Sequence, residues 1–248
     1  MWGPTITRSY GFKKDKAIQD TRIRMRKIFI ERFSSFVPTD INPKPDVSFV
    51  PMLTRRRLSY ISRMVVLVSH QVSSDKEGNK LKPCKVTFAS QFGEINQQLK
   101  ISEMLLDTGS VSPAHFSLSV FNASVASASI LENNTAGYSA IFSGKESFTS
   151  GLTDCLAALE NEDADSRTFI FADELIPETY APVAGVPYPN AVCALALRLS
   201  TDESKADPVL KKVDIRKQLE QLKRLQNNFD TAAEQAIAFL CAIDMQRS

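Results

Sequence analysis

The stretch YSAIFSGKESFTSGL, residues 138–152, reads as a strand that turns sharply into a helix. Such a corner exposes a nucleophile, and the helix N-terminus behind it stabilises developing negative charge. Here the corner is Ser143, Gly144, Lys145, Glu146 and Ser147, with no cysteine and no histidine close by in sequence. The chain has only two histidines. His70, beside Ser69 and Gln71 in a helical segment, reads as a surface or core-edge residue, and His115 lies between Pro113 and Phe116. No spacing supports a Ser/His/Asp triad, and there is no GxSxG, GxGxxG or P-loop. Asp163, Asp165, Asp173 and Glu174 fall near strand ends and read as caps and surface charge. Cys84, Cys155, Cys193 and Cys241 are scattered, without a CxxC pair. They therefore predict neither a metal knuckle nor a redox motif, but buried free thiols in a reducing compartment. No metal and no cofactor is expected from these residues.

The elements that must position the corner follow from periodicity. Residues 18–33 are helix-prone, with Ile18, Met25, Ile28, Phe29 and Phe33 on one face and Arg22, Arg24, Arg26 and Lys27 on the rest, read as a solvated face. Pro38, Pro43, Pro45 and Pro51 mark an extended connection. Leu58, Ile61, Val65, Val68 and Val72 keep 3-4-3-4 spacing and predict an amphipathic helix, with Thr54 as a plausible cap. A short strand over 85–93 leads to a second helix over 94–107 carrying Ile95, Leu99, Ile101, Met104, Leu105 and Leu106. Residues 112–131 become rich in Ala and Ser, which allow close helix packing. After the 137–143 strand, the 145–160 helix puts Phe148, Leu152, Cys155, Leu156 and Leu159 on one face. The nearly continuous apolar runs 167–174 and 191–199 predict strands covered on both sides. A helical tail spans 209–245, breaking near Asn227 and Asn228. Strands alternate with helices, so the fold class is α/β, with a mostly parallel sheet covered by helices, no internal repeat and no second-domain boundary.

Forty-three per cent hydrophobic residues in a chain of 248 suffice for a substantial core. The net charge of +2 gives no electrostatic commitment to nucleic acid or an anionic membrane. The first twelve residues contain no apolar signal segment, and no apolar run is long enough for a membrane span, so the expected location is cytoplasmic.

Three stretches taken in order resemble a known family. LTRRRLSYISRM (53–64) is similar to the helix with an Arg-rich start in β-ketoacyl synthases. SPAHFSLSVFNASVASASI (112–130) resembles their Ser-Pro segment, with aromatic residues, an Asn and a small-residue helix. AGYSAIFSGKESFTSGL (136–152) resembles the strand and elbow that hold their nucleophilic cysteine. The likeness, over roughly 45–200, is to the N-terminal half of a thiolase-fold ketosynthase, and in particular to the chain length factor subunits of bacterial aryl-polyene pigment clusters. It implies a single five-stranded sheet, an N-terminal extension with a helix over 1–44, a ketosynthase-like domain over 45–204 and a helical tail over 205–248.

Carried over residue by residue, the cysteine position falls on Glu146, or on Lys145 if a one-residue gap near Asn133 and Asn134 is placed differently. The family's two catalytic histidines belong to a second half that these 248 residues are too few to build. Where members of the family read Ser-Val-His-Asn, this chain has Ser119, Val120, Phe121 and Asn122. The resemblance implies that His115 and Phe116 reach towards a partner's acyl tunnel, and that the strand carrying Tyr138, Ala140, Ile141 and Phe142 pairs across a two-fold axis. The reading that follows is a non-catalytic chain length factor in type II polyketide or fatty-acid-like (aryl polyene) chain elongation. It would form a heterodimer with an active ketosynthase and act on chains held by an acyl carrier protein, with self-pairing left open. Two rivals stand beside it: a carrier-directed decarboxylase or hydrolase using Glu146 with Lys145 or Ser147, and an interaction module unrelated to acyl chemistry.

Overall fold

The computed structural model describes residues 26–41, 43–161 and 164–247. Among these the chain runs β1 (Phe29–Phe36), α1 (Met52–Arg55), α2 (Tyr60–Val72), β2 (Val86–Ala89), α3 (Ile95–Thr108), α4 (Pro113–Ser117) and α5 (Ala123–Leu131). It continues with β3 (Tyr138–Ile141), α6 (Ser147–Asn161), β4 (Ser166–Asp173), α7 (Ala181–Ala184), β5 (Cys193–Ser200), α8 (Ile215–Arg224) and α9 (Ala232–Arg247). The five strands form one sheet in the order β1-β5-β4-β2-β3.

The sheet is mixed rather than mostly parallel. β2 pairs parallel with β3 and β4, whereas β5 pairs antiparallel with both β4 and β1. The misreading has a physical source: an inner strand between two helical layers is apolar on both faces whichever way it runs. β5 shows this. Cys193, Leu195, Leu197 and Leu199 face α6, α8 and α9, while Ala194 and Ala196 face α2.

A second correction concerns 18–33. Residues 1–25 lie outside the described residues, but 29–33 are strand, not helix. Phe29, Ile30, Phe33 and Phe36 have the side chains a pleated surface favours, and pairing with β5 overrides local helix propensity. Glu31 then meets Arg198 of β5 at 3.1 Å.

The helix readings at the centre of the chain hold. Leu58, Ile61, Val65, Val68 and Val72 are all buried, and they seat α2 against Phe88, Ile170, Ala194 and Ala196. The cap is Ser59 rather than Thr54: the Ser62 amide donates to Ser59 Oγ at 3.0 Å. Ala128 and Val125 let α5 pack closely on α2. On the other face, Phe148 of α6 meets Phe169, Phe171 and Phe239 with ring centroids 5.4–5.7 Å apart. Gly151 lets α6 lie on the sheet, since a Cβ there would stand 2.5 Å from that of Ala89. The C-terminal helices α8 and α9 close this face through Leu219, Leu222, Ala236 and Phe239. No helix among the described residues is long and apolar enough to cross a membrane.

The helix over 94–107 forms, but of its apolar residues only Ile95 is buried; Leu105 and Leu106 are 52% and 85% exposed. The 112–131 segment splits into α4 and α5 around a turn. α3 and α4 touch one another and together make an arm with unburied apolar side chains.

Candidate functional site

The corner after β3 is a tight turn built from its own side chains. Gly144 takes φ +56°, a left-handed conformation that suits glycine, and Gly144–Glu146 form a single 3-10 turn before α6. Ser147 Oγ donates to the Gly144 carbonyl at 2.7 Å and accepts the Ser143 amide at 2.9 Å. From α9, Gln235 Nε2 donates to the Lys145 carbonyl at 2.8 Å. The turn is held from both sides, and it presents Lys145 and Glu146 to solvent.

Neither histidine joins it in a catalytic arrangement. His70 stacks on Phe49 and its Nδ1 lies 2.8 Å from Glu132 Oε1, which makes it the core-edge residue the sequence implied. His115 is exposed on α4. Phe116, 60% exposed beside it, is not an ordinary core residue. Phe121 fills the space between β2 and the corner: its ring lies 5.9 Å from Phe88 and 5.2 Å, edge-on, from Phe142. It also covers Gly93 so closely that a Cβ there would come within 2.5 Å of the ring.

The cysteines offer no replacement nucleophile at the corner. Cys155 is buried in α6, and burial pushes its thiol up to about 12. Cys193 is buried and raised well above the usual thiol value for the same reason. Cys84 is half-buried, and Cys241 is exposed, contrary to the expectation of buried thiols. Among the described residues no group of three or more His, Cys, Asp or Glu side chains could hold a metal ion.

The carboxylates are the larger correction. Asp163 lies outside the described residues, and Asp165 is exposed. Asp173 and Glu174, expected as caps and surface charge, are buried, as is Glu94. Asp173 is the last residue of β4, Glu174 follows it, and Glu94 lies in the turn after β2, at the carboxyl ends of two neighbouring strands from which the chain leaves in opposite directions and where a crevice opens in an α/β sheet. Asp173 accepts from Ser90 Oγ at 2.6 Å, the Gln91 amide at 2.9 Å and the Phe92 amide at 3.1 Å. Burial pushes it up to about 7 against the pull of those donors. Glu94 Oε1 accepts from Ser59, Ser62 and Ser124 at 3.0, 2.7 and 2.7 Å, yet burial raises it above the usual carboxylate range. Burial, with Glu94 as a like charge, brings Glu174 up to about 7. The readable signal was the apolar β4 run passing into Asp173 and Glu174 with no turn residue between.

With this geometry in place, comparison with known proteins is specific. The family Beta-ketoacyl synthase, N-terminal domain matches residues 34–247. No curated protein matches the chain. Among solved structures it is similar to a ketosynthase (ApeO) in complex with its chain length factor (ApeC) from Xenorhabdus doucetiae. That match has 24% identity and a TM-score of 0.58, and it covers 70% of this chain and 78% of that one. The ishigamide ketosynthase/chain length factor shares 11% identity at a TM-score of 0.54, over 70% of this chain and 62% of that one. AntDE:AntF, a type II PKS acyl-carrier protein in complex with its ketosynthase, shares 13% identity at a TM-score of 0.56, over 71% and 62%. The chain thus spans less than two thirds of the last two, and at these identities what is shared is the fold.

Proposed function

The chain belongs to the β-ketoacyl synthase family, and from that premise we propose that it is a non-catalytic chain length factor. It pairs with an active ketosynthase in type II polyketide or fatty-acid-like elongation, of the aryl polyene kind, on chains carried by an acyl carrier protein. The observation that carries this reading is the corner after β3. Its turn is intact and braced, yet its outward side chains are Lys145 and Glu146, and Phe121 fills the neighbouring space. A carboxylate without special activation is a weak nucleophile at neutral pH, and no thiol or histidine is arranged beside it to take over acyl transfer.

Reconstitution tests the proposal. The chain mixed with its ketosynthase should co-purify as a heteromer, and elongation should need both. Turnover of malonyl-carrier by the isolated chain would overturn it in favour of the carboxylate enzyme. Within that assay, Glu146→Ala should leave output within about twofold of wild type, because the residue makes no bond-breaking contribution. A large loss in a complex that still assembles counts against the non-catalytic reading.

The arm supplies the chain-length role. What supports this is that Phe116 stands 60% exposed on α4, with His115 beside it, outside the chain's own core and so available to a partner's acyl tunnel. Replacing the ring by a methyl group opens room for further methylenes, each worth about 0.8 kcal/mol when buried. Phe116→Ala should therefore shift carrier-bound products to longer chains, read by mass spectrometry, without loss of assembly. An unchanged distribution from an intact heteromer removes Phe116 from the tunnel.

A further inference from the structure

Glu174 follows β4 directly and is only 4% exposed. The Asn96 side chain and the Ile61 amide donate towards its carboxyl, but Oε1 is left buried without a hydrogen-bond partner. A buried carboxyl oxygen with no donor is costly, and folded proteins keep few of them unless something else supplies the bond. Glu174 lines an open groove of about 480 Å³ whose apolar wall is Pro38, Leu175 and Val192. That volume lies in the range of small-molecule sites. Two other polar groups of the groove are already engaged: Tyr60 donates its hydroxyl to the Pro43 carbonyl at 2.8 Å, and Asn96 Nδ2 donates to the Leu175 carbonyl at 2.9 Å. Lys100, one turn beyond Asn96 on α3, is exposed, lines the same groove and acts on Glu174 as an opposite charge. The groove thus combines an acid with an unfilled acceptor, a separate cation and an apolar wall. A simple cation satisfies Glu174 but is repelled by Lys100, and a simple anion does the reverse. A molecule that carries both charges satisfies each.

We propose that this groove binds a small zwitterion, an α-amino acid with an apolar side chain, whose ammonium group donates to Glu174 Oε1 and whose carboxylate meets Lys100. The side chain of the amino acid lies against Pro38, Leu175 and Val192. Burial brings Glu174 up to about 7, and a bound ammonium group favours its charged form in return. Among the described residues no group of His, Cys, Asp and Glu side chains gathers to hold a metal ion, so the donor that fits Oε1 is an organic one. The groove uses neither the corner after β3 nor Phe116, so binding there stands apart from the chain length role and from the ketosynthase partner.

Titration of the nitrogen-15-labelled full chain with L-leucine tests it. Two matched probes accompany it: isopentylamine, the same skeleton without the carboxylate, and 4-methylpentanoate, the same skeleton without the ammonium group. L-leucine should give saturable amide shifts centred on Asn96, Gln97, Lys100 and Leu175, and each probe should bind at least about tenfold more weakly. Glu174→Gln should weaken L-leucine by about tenfold, since it removes the charge that the ammonium group meets. Lys100→Met, a surface change that keeps an apolar stem, should weaken L-leucine by a similar factor without weakening isopentylamine, and it decides the matter if Glu174→Gln fails to fold. Four results would each overturn the site: no saturable shifts in the groove, isopentylamine binding as tightly as L-leucine (a plain cation site), 4-methylpentanoate binding as tightly (a plain anion site), or an unchanged L-leucine affinity in a folded variant of either residue.

Discussion

Asp173→Ala is expected to cost about 3–5 kcal/mol of stability, because it leaves buried donors without an acceptor. The donors are the Ser90 hydroxyl and the Gln91 and Phe92 amides, all aimed at one carboxyl group with no exposure to water. Ser90 Oγ in turn accepts the Gly93 amide at 2.7 Å, so the whole turn between β2 and α3 hangs on Asp173. The same residue sets a pH dependence in wild type. Its folded value is raised from 3.8 to about 7, so the fold binds the proton more tightly than the unfolded chain does. That contribution is fully present below pH 3.8 and is lost as pH rises towards about 7, with each unit worth about 1.4 kcal/mol. Glu174, raised from 4.5 to about 7, adds in the same direction. Thermal melts should therefore show the wild type more stable at pH 5 than at pH 8. Asp173→Asn should flatten part of that slope while keeping an acceptor for the turn. A wild type whose stability rises over this range would show that the donors around Asp173 outweigh its burial.

What could be read in the sequence follows from how local each signal is. α2 and α6 were legible because 3-4-3-4 spacing depends only on the residues of one helix, and every residue of the two stripes is buried. β3 and its corner were legible because a strand ending in Ser-Gly before a helical run is a local pattern. β1 was not: its partner Ser200 lies 171 positions away from Phe29, and nothing near 29–36 announces that pairing. The direction of β5 was equally hidden, since apolar content on both faces records burial and not polarity. The acid cluster escaped for a related reason. Glu94 and Glu174 are 80 residues apart and look like ordinary charges until the turns after β2 and β4 bury them. A family resemblance drew attention to the corner but carried no information about these acids, because it was read through catalytic positions only.

The largest effect on assembly should come from Ala140→Lys. β3 is the last strand of the sheet, bonded to β2 along one side, and among the described residues nothing pairs with its other side. Ala140 is exposed on that strand, while Tyr138 and Phe142 are 38% and 63% exposed. An open edge carrying apolar side chains and no proline recruits another strand, and pairing across a two-fold axis satisfies its backbone and covers those side chains together. A lysine placed at the centre of such a seam must lose its water without gaining a partner, a cost of several kcal/mol, enough to weaken association by about a hundredfold or more. Sedimentation velocity should find Ala140→Lys unable to form either the heteromer with a ketosynthase or a homodimer, at an unchanged melting temperature. Ile141→Lys serves as the contrasting variant. Ile141 is half-buried and packs on the core beneath α6, so a lysine there should lower the melting temperature as well as break the assembly. The pair separates loss of the seam from loss of the fold. If Ala140→Lys assembles as wild type does while remaining folded, the β3 edge is not the seam, and the exposed Leu105, Leu106 and Phe116 of the arm become the surface to substitute next.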